Sequence, residues 1–220
     1  FYADLENMEP LMDSFTPGWR NTRPWLFGEF CDSDTMRDLE EIRRAKGVRR
    51  LKWEARDPRT NPISGLKPDF FADEHDARML ESGIRQDYPA LKALSVDHAM
   101  VHRKTTLEQT RAFPEICGYN ITGIRDVPIA TSGLFDDLMR PKFDPEIFLQ
   151  TNGERCLAPA WDLTREWING DRVKNRERYN FYAGDPYGLH ILFSNGGAPV
   201  EDGTLAWDLT AGEKSLRHGN

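Results

Sequence analysis

Two short apolar runs, far apart in the chain, constrain this fold more than any other feature. Residues 25–30 read Trp-Leu-Phe-Gly-Glu-Phe after Pro24, and residues 116–124 read Ile-Cys-Gly-Tyr-Asn-Ile-Thr-Gly-Ile. Neither run shows the strict apolar–polar alternation of a strand with one wet face. A short, nearly continuous apolar run is the pattern of a strand covered on both faces in a parallel sheet. Parallel neighbours need a crossover, usually a helix, and residues 74–112 supply a long helical region, broken near Pro89. Its second half places Leu91, Leu94, His98, Val101 and Thr105 on one stripe at three-and-four spacing. The expectation is a right-handed βαβ unit. Glu29 closes its first strand, and the carboxyl ends of strands are where α/β barrels place their chemistry.

The other elements are read from punctuation. Residues 1–24 suggest a strand end over 1–5 and a loop marked by Pro10, Pro17 and Gly18. A helix over 36–46 would be capped by Asp34 or Thr35 and ended by Gly47. Pro58, Pro62, Gly65 and Pro68 make 56–70 an irregular excursion, Pro114 stops the long helix, and 126–153 is a long connection. After Gly153, turn signals at Asn169-Gly170, Gly184-Asp-Pro186, Asn195-Gly-Gly197 and Asp202-Gly203 separate short runs such as 189–193 and 204–210. That is the rhythm of an antiparallel sandwich, but with fewer strands than the roughly seven of an immunoglobulin type.

One βαβ unit cannot cover both faces of a parallel sheet. The expected class is therefore α/β: the C-terminal portion of a (β/α)8 TIM barrel over 1–150, then a partial antiparallel β-sandwich over 151–220. An upstream part of the same polypeptide would complete the barrel.

Charge and cysteines narrow the function. The net charge of -7 and pI near 5.3 lack a nucleic-acid footprint. Arg37, Arg43, Arg44, Lys46, Arg49, Arg50, Lys52 and Arg56 form a basic stretch. It is interleaved with Asp38, Glu40, Glu41 and Glu54, as on a solvated helix and its exit. Cys31, Cys117 and Cys156 are scattered and odd in number, which indicates neither a zinc site nor a disulfide framework and leans toward a reducing compartment. No apolar run approaches the roughly 20 residues that span a bilayer, so no membrane partner is expected. The compartment stays open.

Three segments carry a resemblance. Arg23-Pro-Trp-Leu-Phe-Gly-Glu-Phe30, Gly118-Tyr-Asn-Ile-Thr-Gly-Ile-Arg-Asp-Val-Pro-Ile-Ala-Thr-Ser-Gly133 and Asp136-Asp-Leu-Met-Arg-Pro-Lys-Phe-Asp144 resemble the end of the barrel in β-galactosidase-like members of glycoside hydrolase family 2. The resemblance covers roughly residues 20–150 and implies a TIM barrel flanked by β-sandwiches. Residues 25–29 would be barrel strand seven, ending on the nucleophile Glu29, and 116–124 would be strand eight. Thr122 stands where many relatives carry a Trp that floors the sugar subsite. The implied activity is retaining hydrolysis of O-glycosidic bonds in a carbohydrate substrate, with no cofactor and with an oligomer possible. The alternative is a non-catalytic carbohydrate-binding relative that kept the barrel.

Retaining glycosidases need two carboxyl groups about 5–5.5 Å apart, one as nucleophile and one as acid/base. Glu29 is the catalytic candidate against a surface Glu after a strand. Strand alternation would turn Trp25 and Phe27 inward with it, and Leu26 and Gly28 toward the helices. Glu6 and Glu9 lie too close in sequence to Glu29 to come from strand four, so the acid/base residue is expected outside these 220 residues. Asp4 and Glu6 would sit at the end of strand six and touch the sugar, or be loop carboxylates. Arg125 and Asp126 either grip hydroxyls or pair with each other. Asp32 either bonds a sugar hydroxyl or caps the following helix.

The remaining motifs read as structure. Ser132 lacks a nucleophile elbow and belongs to turn chemistry. His98 and His102 have a chelating spacing without the Glu of a zincin motif, and no metal site is assigned. Trp161, Trp167 and Trp207 suit either a sugar platform or a sandwich core.

Overall fold

The computed structural model describes residues 24–55, 57, 59, 61, 69–113, 116–160, 166–168, 172–174, 183–184 and 188–220. The expectations for 1–23, which include Asp4, Glu6 and Glu9, lie outside these residues, as do Trp161, the Asn169-Gly170 turn and most of the 56–68 excursion.

The two apolar runs form strands and pair in parallel. β1 is Trp25–Phe30 and β2 is Ile116–Ile121. Trp25 faces Ile116, Leu26 faces Gly118, Phe27 faces Tyr119 and Phe30 faces Ile121. Between Phe27 and Phe30 the register slips, so two residues of β1 oppose one of β2, the signature of a bulge. The bulge changes which side chains go in. Phe27 and Phe30 share a face with their rings stacked at 4.8 Å, and both pack with Cys31 and with Leu107 of the crossover helix. Trp25, Phe113, Ile116, Tyr119 and Phe148 close around them. Simple alternation, which put Glu29 with Trp25 and Phe27, is therefore corrected. The aromatic face is the helix-covered one, Leu26 is 63% exposed, and Gly28 and Glu29 are exposed too.

Helix α1 spans Leu39–Ala45 and is capped by Asp38, whose carboxylate accepts from Glu41 N at 2.8 Å. The expected caps are engaged elsewhere: Asp34 Oδ1 accepts from Thr131 N at 2.7 Å, and Thr35 N donates to Thr131 O at 3.1 Å. Arg43 does not project into solvent as its neighbours Arg44 and Lys46 do. It pairs with Glu54, which is buried in the 3-10 turn Lys52–Glu54, and reaches Asp76 at 3.2 Å. Arg44, Lys46, Arg49 and Lys52 are exposed as expected. Leu39, Ile42 and Leu51 make a second small core with Trp53 and Leu138.

The crossover is two helices, α2 Asp69–Glu81 and α3 Tyr88–Arg111, separated by left-handed Gly83 and a 3-10 turn, with Pro89 in the first turn of α3. The break lies where proline predicts it, but the buried stripe differs from the expected one. Ala99, Arg103, Thr106, Leu107 and Thr110 are buried, whereas Leu94 and Val101 are largely exposed. Leu107 meets the aromatic face of β1, while Leu94 and Val101 of the expected stripe are turned outward.

Helix α4, Pro145–Asn152, follows an Asp144 cap and leads into the β-rich part. β3 is Arg155–Ala160, β4 Glu166–Ile168, β5 Arg172–Lys174, β6 His190–Asn195, β7 Trp207–Ala211 and β8 Lys214–Gly219. They form three antiparallel pairs, β3–β6, β4–β5 and β7–β8. The β7–β8 turn, at left-handed Gly212, carries no proline or Asn-Gly signal and was not expected. Arg111 joins the two parts: from the end of α3 it donates to the Gly153 carbonyl at 2.5 Å and to Ser194 Oγ at 3.4 Å. Tyr119 adds a hydroxyl bond to Asn152 Oδ1 at 2.7 Å.

The burial pattern of α3 makes a comparison of two leucines informative. Leu107→Ala should lower unfolding free energy by about 2–5 kcal/mol, whereas Leu94→Ala should stay within about 0.5 kcal/mol. Urea unfolding of the two variants measures the difference, and equal losses would contradict the placement of the helix.

Candidate active site

Two parallel strands deliver the chain that follows each of them to the same end. Here those segments are 31–38 after β1 and 122–142 after β2. They are joined first at the strand tips, where Phe30 N donates to Thr122 Oγ1 at 3.2 Å and Thr122 N to Phe30 O at 3.1 Å. Thr122 is thus a strand-joining residue whose hydroxyl already has a partner.

Deeper in, cations hold the two segments together. Lys142 Nζ lies 2.6 Å from Asp126 Oδ1, and both side chains are almost fully buried. The same ammonium donates to Thr131 O at 2.6 Å and to Thr35 Oγ1 at 2.8 Å. Arg37 donates to Pro128 O at 2.9 Å, to Ala130 O at 3.3 Å, to Val127 O, and to Asp137 at 2.9 Å. Gly133 lets this packing happen, because a Cβ there would collide with the backbone of Arg125 and Asp126. Burial raises the Asp126 carboxyl above its ordinary value, opposed by Lys142 and by the Gly133 amide. Burial likewise lowers Lys142, opposed by Asp126.

A cavity of about 260 Å³ opens behind this rim, lined by Arg37, Glu41, Lys92, Arg140 and Lys142 among others. Its charges satisfy one another. Glu41 accepts from Arg140 at 2.6 Å and from Lys92 at 2.9 Å, and these bonds, Arg140 first, lower its carboxyl to about 2. Arg140 also pairs with Asp136 at 2.6 Å. Glu29 is not part of this cavity.

The expected site residues separate into groups. Glu29 is exposed at the end of β1. Asp32 is half-buried, and its Oδ1 is buried without a hydrogen-bond partner. The helix-cap role for Asp32 falls away, since Asp38 caps α1. Arg125 is exposed, and its neighbour Asp126 pairs with Lys142 rather than with Arg125. Trp25 packs on Phe27 at 5.3 Å in the helix-covered cluster. Glu6 lies outside the described residues.

Ser132 is buried, and its carbonyl accepts from Arg103. The rings of His98 and His102 stack at 6.3 Å, and among the described residues no group of three or more His, Cys, Asp or Glu could hold a metal. Cys31 and Cys156 are buried free thiols, and burial raises the Cys31 thiol to about 12. Trp207 is half-exposed over Gly219, where a Cβ would strike the indole. Among the described residues no helix is long and apolar enough to cross a membrane.

Arg37, Lys142 and Arg103 were missed as site builders. Arg37 and Lys142 sit in charged, loop-like sequence, and Arg103 on a helix whose apolar spacing points elsewhere. Comparison with protein-family models, with curated proteins and with solved structures finds no match to this chain.

Two expectations follow from the charge network. Lys142→Met leaves a buried carboxylate unpaired and should cost about 3–5 kcal/mol, most of it recovered in the Asp126→Asn/Lys142→Met double variant. Urea unfolding of the single and double variants checks this, and additive losses would count against the pair.

The second concerns Glu41, whose carboxyl is lower in the folded state than its ordinary 4.5. Its contribution is therefore fully present above that value and disappears as pH falls through about 2. Glu41→Gln should melt below the wild type at pH 7, with the gap closing progressively between about pH 4 and pH 2. Melting curves across that range read the gap, and a constant offset would refute the linkage.

Proposed function

We propose that this chain carries the nucleophile of a retaining glycoside hydrolase of the β-galactosidase-like type, with Glu29 in that role. The observation that supports the reading best is the setting of Glu29. It is an exposed carboxylate at the carboxyl end of a parallel strand, outside the helix-covered cluster. The segment after the neighbouring parallel strand lies against the tip of that strand. In an α/β barrel that end of the sheet is the catalytic face.

The chemistry is a double displacement. The Glu29 carboxylate forms a bond to the anomeric carbon as the glycosidic C–O bond breaks, and the leaving oxygen takes a proton from a second carboxyl group. Water then cleaves the glycosyl-enzyme ester, giving its proton to that second carboxylate and returning Glu29 as its anion. The second carboxyl is proposed to come from preceding barrel strands of the same polypeptide. Asp32, three residues beyond Glu29 and half-buried, is the residue proposed to accept from a sugar hydroxyl, and exposed Arg125 to donate to one. Asp126 instead builds the rim, since its carboxylate is committed to Lys142. The mechanism needs no cofactor.

In the intact protein, Glu29→Gln should lower kcat on aryl glycosides by about 10³-fold or more while the melting temperature is kept. A 2-deoxy-2-fluoro glycosyl fluoride should lose its anomeric fluoride and add its 2-deoxy-2-fluoroglycosyl group to the peptide containing Glu29. Wild-type rates in the variant, or a first product of inverted configuration by NMR, would overturn the reading. Sugar binding without turnover would favour the non-catalytic carbohydrate-binding alternative.

A further inference from the structure

Every residue of β7 is exposed, and in β8 every residue except Gly219. Gly219 is half-buried because an indole covers it. A Cβ built there would lie 2.8 Å from Cζ2 and Nε1 of Trp207 and 2.9 Å from Cε2. The Trp207 ring therefore lies down on the backbone of the neighbouring strand instead of standing up from the sheet. It remains 49% exposed. One face of the indole is spent on glycine, and the other meets solvent.

Register decides what shares this side of the hairpin. Trp207 pairs with Gly219 and Leu209 with Arg217, with no slip between them. Side chains two apart along a strand point to the same side, so Trp207, Leu209 and Arg217 stand together. Asp208 and His218 take the opposite side, and Asp208 accepts from Ser215 Oγ at 2.6 Å. Arg217 is exposed, and among the described residues it makes no hydrogen bond or ion pair.

These neighbours bear on what can cover the indole. A tryptophan buries at most about 250 Å², whereas a stable protein interface takes roughly 800 Å² from each side. A dry protein layer would also strip water from the Arg217 guanidinium, a cost recovered only with a well-placed partner. A pyranose avoids that cost. Its axial C–H groups form a flat apolar patch that matches the indole face, and its hydroxyls accept from a guanidinium while staying wet. An aromatic plane with a cation beside it is amphipathic in the same sense as a sugar ring.

We propose that Trp207 and Arg217 form a sugar-binding subsite on the β7–β8 hairpin, the indole serving as platform for one pyranose of a polysaccharide and the guanidinium donating to its hydroxyls. Gly219 belongs to the site because only a residue without a side chain lets the ring lie flat. The subsite shares no residue with the rim around Glu29 and stands whether or not the glycosidase reading holds. With no carboxylate among Trp207, Leu209, Arg217 and Gly219, it retains a polymer and does not cleave it.

Affinity electrophoresis of the full-length protein, in native gels containing hydroxyethyl cellulose, galactan, mannan or xylan, tests the subsite. At least one polymer should retard the wild type. Trp207→Ala should raise the dissociation constant for it about ten-fold, the worth of one aromatic stacking contact. Arg217→Met should raise it about three-fold, as for one modest hydrogen bond. Gly219→Ala removes no group that touches the sugar, yet it should weaken binding as much as Trp207→Ala, because its Cβ displaces the indole.

No retardation of the wild type by any of the four polymers overturns the subsite. So does equal retardation of the wild type and Trp207→Ala, or wild-type binding by Gly219→Ala. A concentration-dependent dimer in sedimentation that Trp207→Ala dissociates would make this face a protein contact and equally overturn it. If Trp207→Ala does not fold, Trp207→Phe replaces it and should lose about three-fold from its smaller ring, with unchanged binding again counting against the platform.

Discussion

Parallel pairing is the constraint from which the rest of this structure follows. Once β1 and β2 run side by side in the same direction, residues 31–38 and 122–142 must share one end of the sheet. Neither segment is regular until α1 begins, so their backbone polar groups need partners that no helix or strand supplies. Cations from several places in the chain provide them. Arg37 gathers carbonyls of the tight turn 127–130, Lys142 gathers Thr131 and Asp126, and Arg103 takes Ser132 from below. A loop held through its carbonyls by long side chains keeps its shape without forming secondary structure.

The elements were more legible in the sequence than their contacts. The two strands, the proline break in the crossover and the antiparallel character of the last third follow from short-range signals that local chemistry enforces. The α1 cap did not follow, because Asp34 and Asp38 are equivalent as cap residues until Thr131 engages Asp34. The buried stripe of α3 did not follow either. Three-and-four spacing of apolar residues assumes that the helix buries its apolar side, whereas here its buried residues are Ala99, Arg103, Thr106, Leu107 and Thr110, and Leu107 packs on the aromatic residues of β1. Leu94 and Val101 are apolar but face outward.

The bulge in β1 shows how one extra residue can reassign a site. With strict alternation, Phe27 and Glu29 would share a face, and one of them would be in the wrong environment: an acid against Leu107 or a phenyl ring toward water. Two residues opposing one resolve the conflict, because Phe30 takes the buried place and Glu29 stays outside the cluster. Cys31, which follows directly, has a φ of 56°, a left-handed conformation uncommon for a residue with a side chain. It turns the chain sharply off the strand and leads into Asp32. The same pair of features therefore separates the acid from the core and brings the next acid close behind it.

The charge balance at this end of the sheet bears on what can dock there. An anionic group, such as a sugar phosphate, needs a cation with donors directed at it. Arg37, Lys142 and Arg140 already serve carbonyls and carboxylates, and the remaining donors of Arg103 are buried. Arg125 is exposed beside the rim, but Glu29 and Asp34 are exposed there as well. On a chain of net charge -7, a phosphate would approach against the overall field. Neutral hydroxyls meet no such barrier: they donate to carboxylate oxygens and accept from a guanidinium, and Asp32 and Arg125 offer one of each. For the proposed glycoside site, this engagement of the cations favours an unmodified pyranose over a phosphorylated one.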